Sequence, residues 1–223
     1  MIVSPVVTGI ICIVIAYLVG SFPSAYLVVR LLTGQDIRRL GSGNVGANNT
    51  YGQAGLAAAT IVALLDVGKG AGAVGIAAWL LGMPVGEPDV YLLLAALAAI
   101  SGHMWSAYIG LKGGNGLGPT IGCLAVLLPW ELLIVIGLLL LFTLLTHNLV
   151  FSVNLALFSV PVTSWLLEGN LLYVGFSLIL MALLIVNFLP TARLALARAG
   201  SKRQLLNELL RRDRRGPRPT GTA

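Results

Sequence analysis

Between residues 36 and 50 the chain reads Asp36-Ile37-Arg38-Arg39-Leu40-Gly41-Ser42-Gly43-Asn44-Val45-Gly46-Ala47-Asn48-Asn49-Thr50. Gly41, Gly43 and Gly46 form a formal Gly-x-Gly-x-x-Gly, and Asp66 lies twenty residues beyond the last of them. That spacing imitates a dinucleotide-binding turn, which needs a strand before it and a βαβ unit around it. The flanks here are long apolar runs instead, residues 6–32 before the loop and 56–81 after it. Each exceeds the roughly 20 residues that carry a helix across the hydrocarbon of a bilayer. The reading is therefore an all-α membrane protein rather than an α/β domain.

Further runs of the same kind follow at 90–108, 117–128, 130–145, 149–167 and 171–189, the fourth of the seven being short and the last ending at Pro190. Pro23, in the polar patch Ser21-Phe22-Pro23-Ser24, is expected to kink the first run. Composition agrees: of 223 residues, 57% are hydrophobic and 10% charged, against about 25% charged in a soluble domain. The first run has no basic segment before it and no small-residue cleavage site after it, so it reads as a retained span, not a signal peptide. Cys12 and Cys123 are isolated within apolar runs and make no disulfide or metal framework, and no metal site is expected.

Charge sets the orientation. With seven spans, Arg30, Arg38, Arg39, Lys112 and the basic tail from Arg193 to Arg218 share one side, while Glu87, Asp89, Glu131 and Glu168 occupy the other. By the positive-inside rule the N-terminus lies outside and the C-terminus in the cytoplasm. The domain reading is one membrane domain over 1–190, a basic amphipathic tail on an anionic leaflet over 191–215, and a disordered end over 216–223.

Three polar features stand out against this apolar background. Around the first loop, glycines free backbone N–H groups to face an anion; Ser42, Asn44, Asn48, Asn49 and Thr50 add neutral donors, and Arg38 adds charge. In the second span Asp66 and Lys69 stand three residues apart, on one helix face, where they can pair. Ionisable groups at that depth are functional candidates, although a purely structural pair is the competing reading. The third feature is Ser101-Gly102-His103, followed by Lys112-Gly113-Gly114-Asn115-Gly116 on the same side as the first loop. Free histidine has a pKa near neutrality, which makes His103 a candidate general base, or else a hydrogen-bonded helix-end histidine. His147, without a motif around it, reads as structural. Two glycine-rich loops facing one compartment suggest a phosphate site at the membrane surface.

Gly20-Ser21-Phe22-Pro23-Ser24-Ala25-Tyr26, Asp36-Ile37-Arg38, Gly41-Ser42-Gly43-Asn44-Val45-Gly46-Ala47-Asn48-Asn49, Asp66-x-x-Lys69-Gly70, and Gly102-His103 with Lys112-Gly113-Gly114 resemble, in order and spacing, the bacterial acyl-phosphate:glycerol-3-phosphate acyltransferases of the PlsY type. The resemblance covers about residues 12–122. It implies a multi-pass protein of the bacterial inner (plasma) membrane with seven spans and an active site at the cytoplasmic face. It also implies acyl transfer from acyl phosphate to the 1-hydroxyl of glycerol 3-phosphate, giving lysophosphatidic acid for phospholipid biosynthesis, with no cofactor and no nucleic-acid partner. On it, His103 is the candidate catalytic residue. Arg38, Gly41, Ser42, Gly43, Asn44, Asn48, Lys69, Lys112, Gly113, Gly114 and Asn115 are candidate phosphate- or substrate-binding residues. Three departures mark this chain. Gly52 stands where the family has an arginine, Asn115 where it has a lysine, and the stretch after Pro190 lacks the family's histidine, asparagine and acidic residue. They motivate a second reading, a non-catalytic or altered-substrate paralogue that binds lipid or phosphate. A third reading, a small transporter, rests on Asp66 and Lys69 at membrane depth.

The charge segregation makes a direct prediction. A reporter fused after Arg218 is expected to be active only if it functions in the cytoplasm; activity of a reporter that works only outside the cell would overturn the orientation.

Overall fold

The computed structural model describes the backbone of residues 4–147 and 149–198 and the side chains of 4–147 and 151–189. The elements are α1 (Pro5–Ser21), α2 (Ser24–Thr33), α3 (Ala47–Leu81), α4 (Val90–Met104), α5 (Leu117–Leu127), α6 (Pro129–Thr146), α7 (Leu149–Leu157), α8 (Val160–Glu168) and α9 (Leu171–Arg198), with no strand among the described residues. From 199 onward the expected basic tail lies outside the described residues, and so does the whole of the expected disordered end, 216–223.

Six helical segments are long and apolar enough to cross a membrane, and α5 is a shorter seventh of eleven residues. At 1.5 Å per residue α5 covers only about 16 Å. Its start lies well inside the helical bundle: a side-chain carbon added at Gly118 would press on Asp66 of α3. Its far end approaches Gly86, in the turn between α3 and α4. The polar loop before α5 therefore dips among the helices, and α5 has only the remaining depth to cover.

The first span is broken where Pro23 predicts. α1 ends at Ser21, α2 begins at Ser24, and the break leaves the carbonyls of Ser21 and Phe22 outside the helical ladder. Three features depart from expectation. The sixth span is divided into α7 and α8 around Phe158–Ser159, because Pro161 in the first turn of α8 lacks the N–H that would continue the helix. The seventh does not stop at Pro190: the helical backbone of α9 runs on to Arg198. A membrane helix tolerates an internal proline when neighbouring groups accommodate the lost bond. α3 also begins earlier than the apolar run, at Ala47, but its backbone leaves helical geometry at Gly55 (φ 81°, ψ −178°). The first two turns of α3 are thus set apart from the rest of the helix, which resumes at Leu56 where the long apolar run begins.

Close helix approach depends on small residues, as is common where lipid offers no hydrophobic drive to pack. α4 packs chiefly on α1, and α5 on α3. A Cβ at Gly20 would fall on the Ala99 carbonyl, and one at Gly102 on the Tyr17 carbonyl, so the two helices touch backbone to backbone. At the end away from the glycine-rich loops, Asp89 caps α4 by accepting from the N–H groups of Tyr91 and Leu92. His147 closes α6 in a left-handed conformation with its N–H on the Thr143 carbonyl. Both cysteines are buried and free.

Gly20→Val is expected to destabilise the protein by about 1–3 kcal/mol through overpacking of this crossing. Gly75→Ala, whose added carbon meets nothing within 4 Å, should be neutral or slightly stabilising. Thermal unfolding in detergent compares them; equal melting of both variants and the parent would refute the close-approach account.

Candidate active site

At the depth where α1 breaks, Asp66 of α3 is 4% exposed and carries three neighbours on one carboxylate oxygen. Oδ1 accepts from Ser24 Oγ of α2 at 2.7 Å and from Lys69 Nζ at 2.9 Å. Nδ1 of His103, at the end of α4, stands 3.6 Å from the same oxygen. Lys69 also donates to the Phe22 carbonyl at 2.8 Å, one of the two acceptors released by the Pro23 break. The other, the Ser21 carbonyl, accepts from Ser106 Oγ at 2.5 Å. The i,i+3 spacing of Asp66 and Lys69 thus yields the pair that it allows.

The two glycine-rich loops meet above this hub. Val45 N–H donates to the Gly113 carbonyl, and Arg38 Nη1 reaches the Ile109 carbonyl at 3.0 Å. Gly114 N–H donates to the His103 carbonyl. A side chain at Gly113 would overlap that same carbonyl, and one at Gly114 would overlap Nε2 of the His103 ring. Two successive glycines are what lets the loop lie flat on the histidine. On its outer side the Gly114 carbonyl accepts from Asn187 Nδ2 of α9 at 3.2 Å.

The first loop is organised from inside by Asn49. Its Nδ2 donates to the carbonyls of Ile37, Leu40 and Asn44, and its Oδ1 accepts from Ser42 N–H at 3.2 Å. Gly43 N–H turns back to the Leu40 carbonyl and Asn44 N–H to Ser42 Oγ. Gly41 and Gly43 do adopt left-handed φ of 53° and 73°. The N–H groups of 42–44 nevertheless serve the loop's own closure, and that of Val45 the second loop, rather than an outside anion. What remains for an anion is the start of α3, where Ala47 and Asn48 have no carbonyl a turn behind them, and the exposed side chains of Ser42 and Asn48.

The cations divide into held and free. Arg38 is held: its Nε contacts both Asp36 oxygens, Nη2 lies 2.6 Å from Asp36 Oδ2, and its guanidinium stacks 5.1 Å from the centre of the Tyr26 ring. The Arg38 hydrogen bond outweighs burial and lowers the Asp36 carboxyl to about 2. This contribution to stability is complete above the ordinary carboxylate range and lost as pH falls through about 2. Lys112 is exposed and has no side-chain partner among the described residues, and Asn115 is exposed beside it. Of the candidate residues, then, His103 and Lys69 form the floor, and Gly113 and Gly114 lie over it. Gly41, Ser42, Gly43, Asn44 and Asn48 form one wall, Lys112 and Asn115 the rim, and Arg38 a staple between the loops.

Ser24, Ser106 and Asn187 belong to this constellation and were not among the candidates. Asn187 carried a signal, a lone amide in an otherwise apolar run.

A family model described as glycerol-3-phosphate acyltransferase matches residues 10–196. The chain belongs to that family. It is 36% identical to glycerol-3-phosphate acyltransferase 1 of Dehalococcoides mccartyi over 86% of this chain and 93% of the relative. It is 46% identical to glycerol-3-phosphate acyltransferase 2 of Moorella thermoacetica over 55% of this chain and 60% of the relative. Among solved structures, it resembles PlsY, an integral membrane glycerol 3-phosphate acyltransferase, in its glycerol 3-phosphate form. That likeness has a TM-score of 0.74 and 25% identity, and covers 91% of this chain and 92% of that one. The lysophosphatidic acid form matches with a TM-score of 0.73. The family fold is thus a multi-pass membrane bundle, as expected.

Removing one partner of a buried ion pair strands the other charge. Asp66→Ala is expected to lower stability by about 3–5 kcal/mol, and adding Lys69→Met should restore much of the loss. Denaturant unfolding in micelles would test this; a fully stable Asp66→Ala protein would show that the hub is not a structural constraint.

Proposed function

We propose that this chain transfers an acyl group from an acyl phosphate to glycerol 3-phosphate, at the cytoplasmic face of a bacterial plasma membrane. Family membership, together with the joined loops over the Asp66–Lys69–His103 floor, carries this reading. The acceptor's 1-hydroxyl oxygen forms a bond to the acyl carbon, the bond from that carbon to the phosphate oxygen breaks, and inorganic phosphate leaves with its electron pair. An acyl phosphate already contains a good leaving group, so positioning and charge stabilisation can carry the step without a nucleophilic side chain.

Each group then has a role. His103, with Nδ1 turned to Asp66, has Nε2 left to take the hydroxyl proton against the Gly113–Gly114 backbone. Lys112 at the rim, together with the Ser42 and Asn48 side chains and the start of α3, binds the phosphates. Lys69 balances charge beneath the departing group. Arg38, engaged by Asp36, holds the loops in register. The basic tail keeps the site against anionic lipid headgroups. Gly52 and Asn115, where the family has arginine and lysine, support a second reading in which the same site binds a phosphorylated lipid without turning it over.

Purified protein supplied with an acyl phosphate and glycerol 3-phosphate is expected to release inorganic phosphate. His103→Ala should lower kcat by about a hundredfold or more, and Asn115→Lys should raise kcat/KM by strengthening phosphate contact. Absence of turnover in both the parent and the Asn115→Lys protein, with glycerol 3-phosphate binding retained, would favour the second reading.

A further inference from the structure

At Gly55 the backbone of α3 stands at φ 81°, ψ −178°, a region that is essentially reserved for glycine. The position is exposed, and a carbon added there meets nothing within 4 Å. Packing therefore does not demand glycine at 55; the backbone conformation alone does. Gly52, one turn earlier, is also exposed and unobstructed, but its φ is not positive.

The turn at 55 aims the segment 47–54. On its inner side Ala47 and Ala54 pack on the cluster that contains Val29, Ile37 and Val45. Asn49, in the middle of the segment, is 6% exposed. Its amide binds the carbonyls of Ile37, Leu40 and Asn44 and the N–H of Ser42. All four bonds run from the segment to the first glycine-rich loop or its approach. That loop meets the second through the Val45 N–H on the Gly113 carbonyl, and Gly114 lies on the His103 ring. A chain of direct contacts thus leads from the backbone at 55 to the floor of the site.

The rest of α3 is anchored by other partners. Asp66 is bonded to Ser24 and Lys69, and Gly70 abuts the Pro119 backbone of α5. The direction of 47–54 relative to that anchored part is set at the one residue whose backbone leaves helical geometry. An L-amino acid at 55 would pull the backbone back toward ordinary helix and swing 47–54 out of line with the loop it clamps.

We infer that Gly55 is a positioning residue: its positive φ directs segment 47–54 so that Asn49 shapes the first loop and Ser42 and Asn48 face the phosphate. The inference rests on the acyl-transfer reading for the identity of the ligand. It adds a residue, remote from the reacting atoms, that sets the geometry of one wall of the site. Remote displacements of about 1 Å can cost about a hundredfold in rate.

The test compares the parent with Gly55→Ala, Gly52→Ala and a semisynthetic protein carrying D-alanine at 55, all in detergent. At the Gly55 dihedrals D-alanine is the mirror image of an extended L-residue, which is freely allowed, so this protein should match the parent. Gly52→Ala should match it too. In Gly55→Ala, kcat/KM for glycerol 3-phosphate should fall about tenfold or more, mainly through KM, with the Kd for glycerol 3-phosphate rising in step. Amide hydrogen exchange at 42–45 should accelerate in that variant, while exchange at 62–78 keeps the parental rate. Parental binding and loop exchange in Gly55→Ala would overturn the inference, and so would equal losses in the L-alanine and D-alanine proteins. Exchange that accelerates throughout α3, or failure of Gly55→Ala to fold, would make Gly55 a determinant of folding only and overturn it as well. The exchange measurement needs no ligand. A protein whose loop depends on Gly55 but which neither binds glycerol 3-phosphate nor releases phosphate would refute the acyl-transfer reading, while the role of Gly55 in shaping the loop would stand.

Discussion

One carboxylate oxygen holds the functional end of this protein together. Oδ1 of Asp66 gathers a hydroxyl from α2, an ammonium from its own helix and an imidazole from α4, all within 3.6 Å. In an apolar surround an ionised group is tolerable only when paired and hydrogen-bonded. The pairing constrains the surrounding backbone as well. Lys69 needs a second acceptor, and the Phe22 carbonyl is available because Pro23 ends α1 there. His103 must present its ring beneath the loop, and only glycine at 113 and 114 leaves room for it. The break in α1, the glycines of the second loop and the short α5 that starts beside Asp66 are all consequences of seating one charge cluster at membrane depth.

The loops show a different economy. Glycine-rich turns beside basic residues suggest backbone N–H groups pointing at a phosphate. In the first loop those groups are instead consumed internally, with Asn49 closing three carbonyls and one N–H. The loop is a rigid wall that presents its side chains and the first turn of α3. Arg38 is likewise engaged, by Asp36, the Ile109 carbonyl and the Tyr26 ring. The chain thus spends much of its polar capacity on fixing the shape of the site, a sound strategy where positioning supplies much of the rate.

The sequence made the frame legible for identifiable reasons. Spans are long apolar runs, and hydropathy alone finds them. The break at Pro23 follows from the missing N–H, and the Asp66–Lys69 pair from helical spacing. The junction of the two loops was expected from their common side, and the Val45–Gly113 bond realises it. Other features leave no local trace. A glycine at 55 does not disclose a φ of 81°, nor does an asparagine at 49 reveal that its amide faces inward. Pro161 and Pro190 illustrate the limit: the first divides a helix and the second lies within one. Their effect depends on the neighbours that satisfy the freed carbonyls, which a linear pattern does not contain. Asn187 meets the Gly114 carbonyl through tertiary packing, although the two residues lie far apart in sequence.

A reaction that joins a bilayer-borne acyl chain to a water-borne phosphate faces a geometric problem, because the two reactants are soluble in opposite phases. The described architecture has a polar floor roofed by the two loops and flanked by an apolar groove between α1 and α3. Phe22 and Lys69 belong to both spaces. Their position is fixed by the same helix break: without Pro23 the Phe22 carbonyl would continue the ladder of α1, and Lys69 would lose the contact that turns its ammonium toward the junction. The element that looks most like a defect in the first span is therefore what brings the two compartments to a common wall.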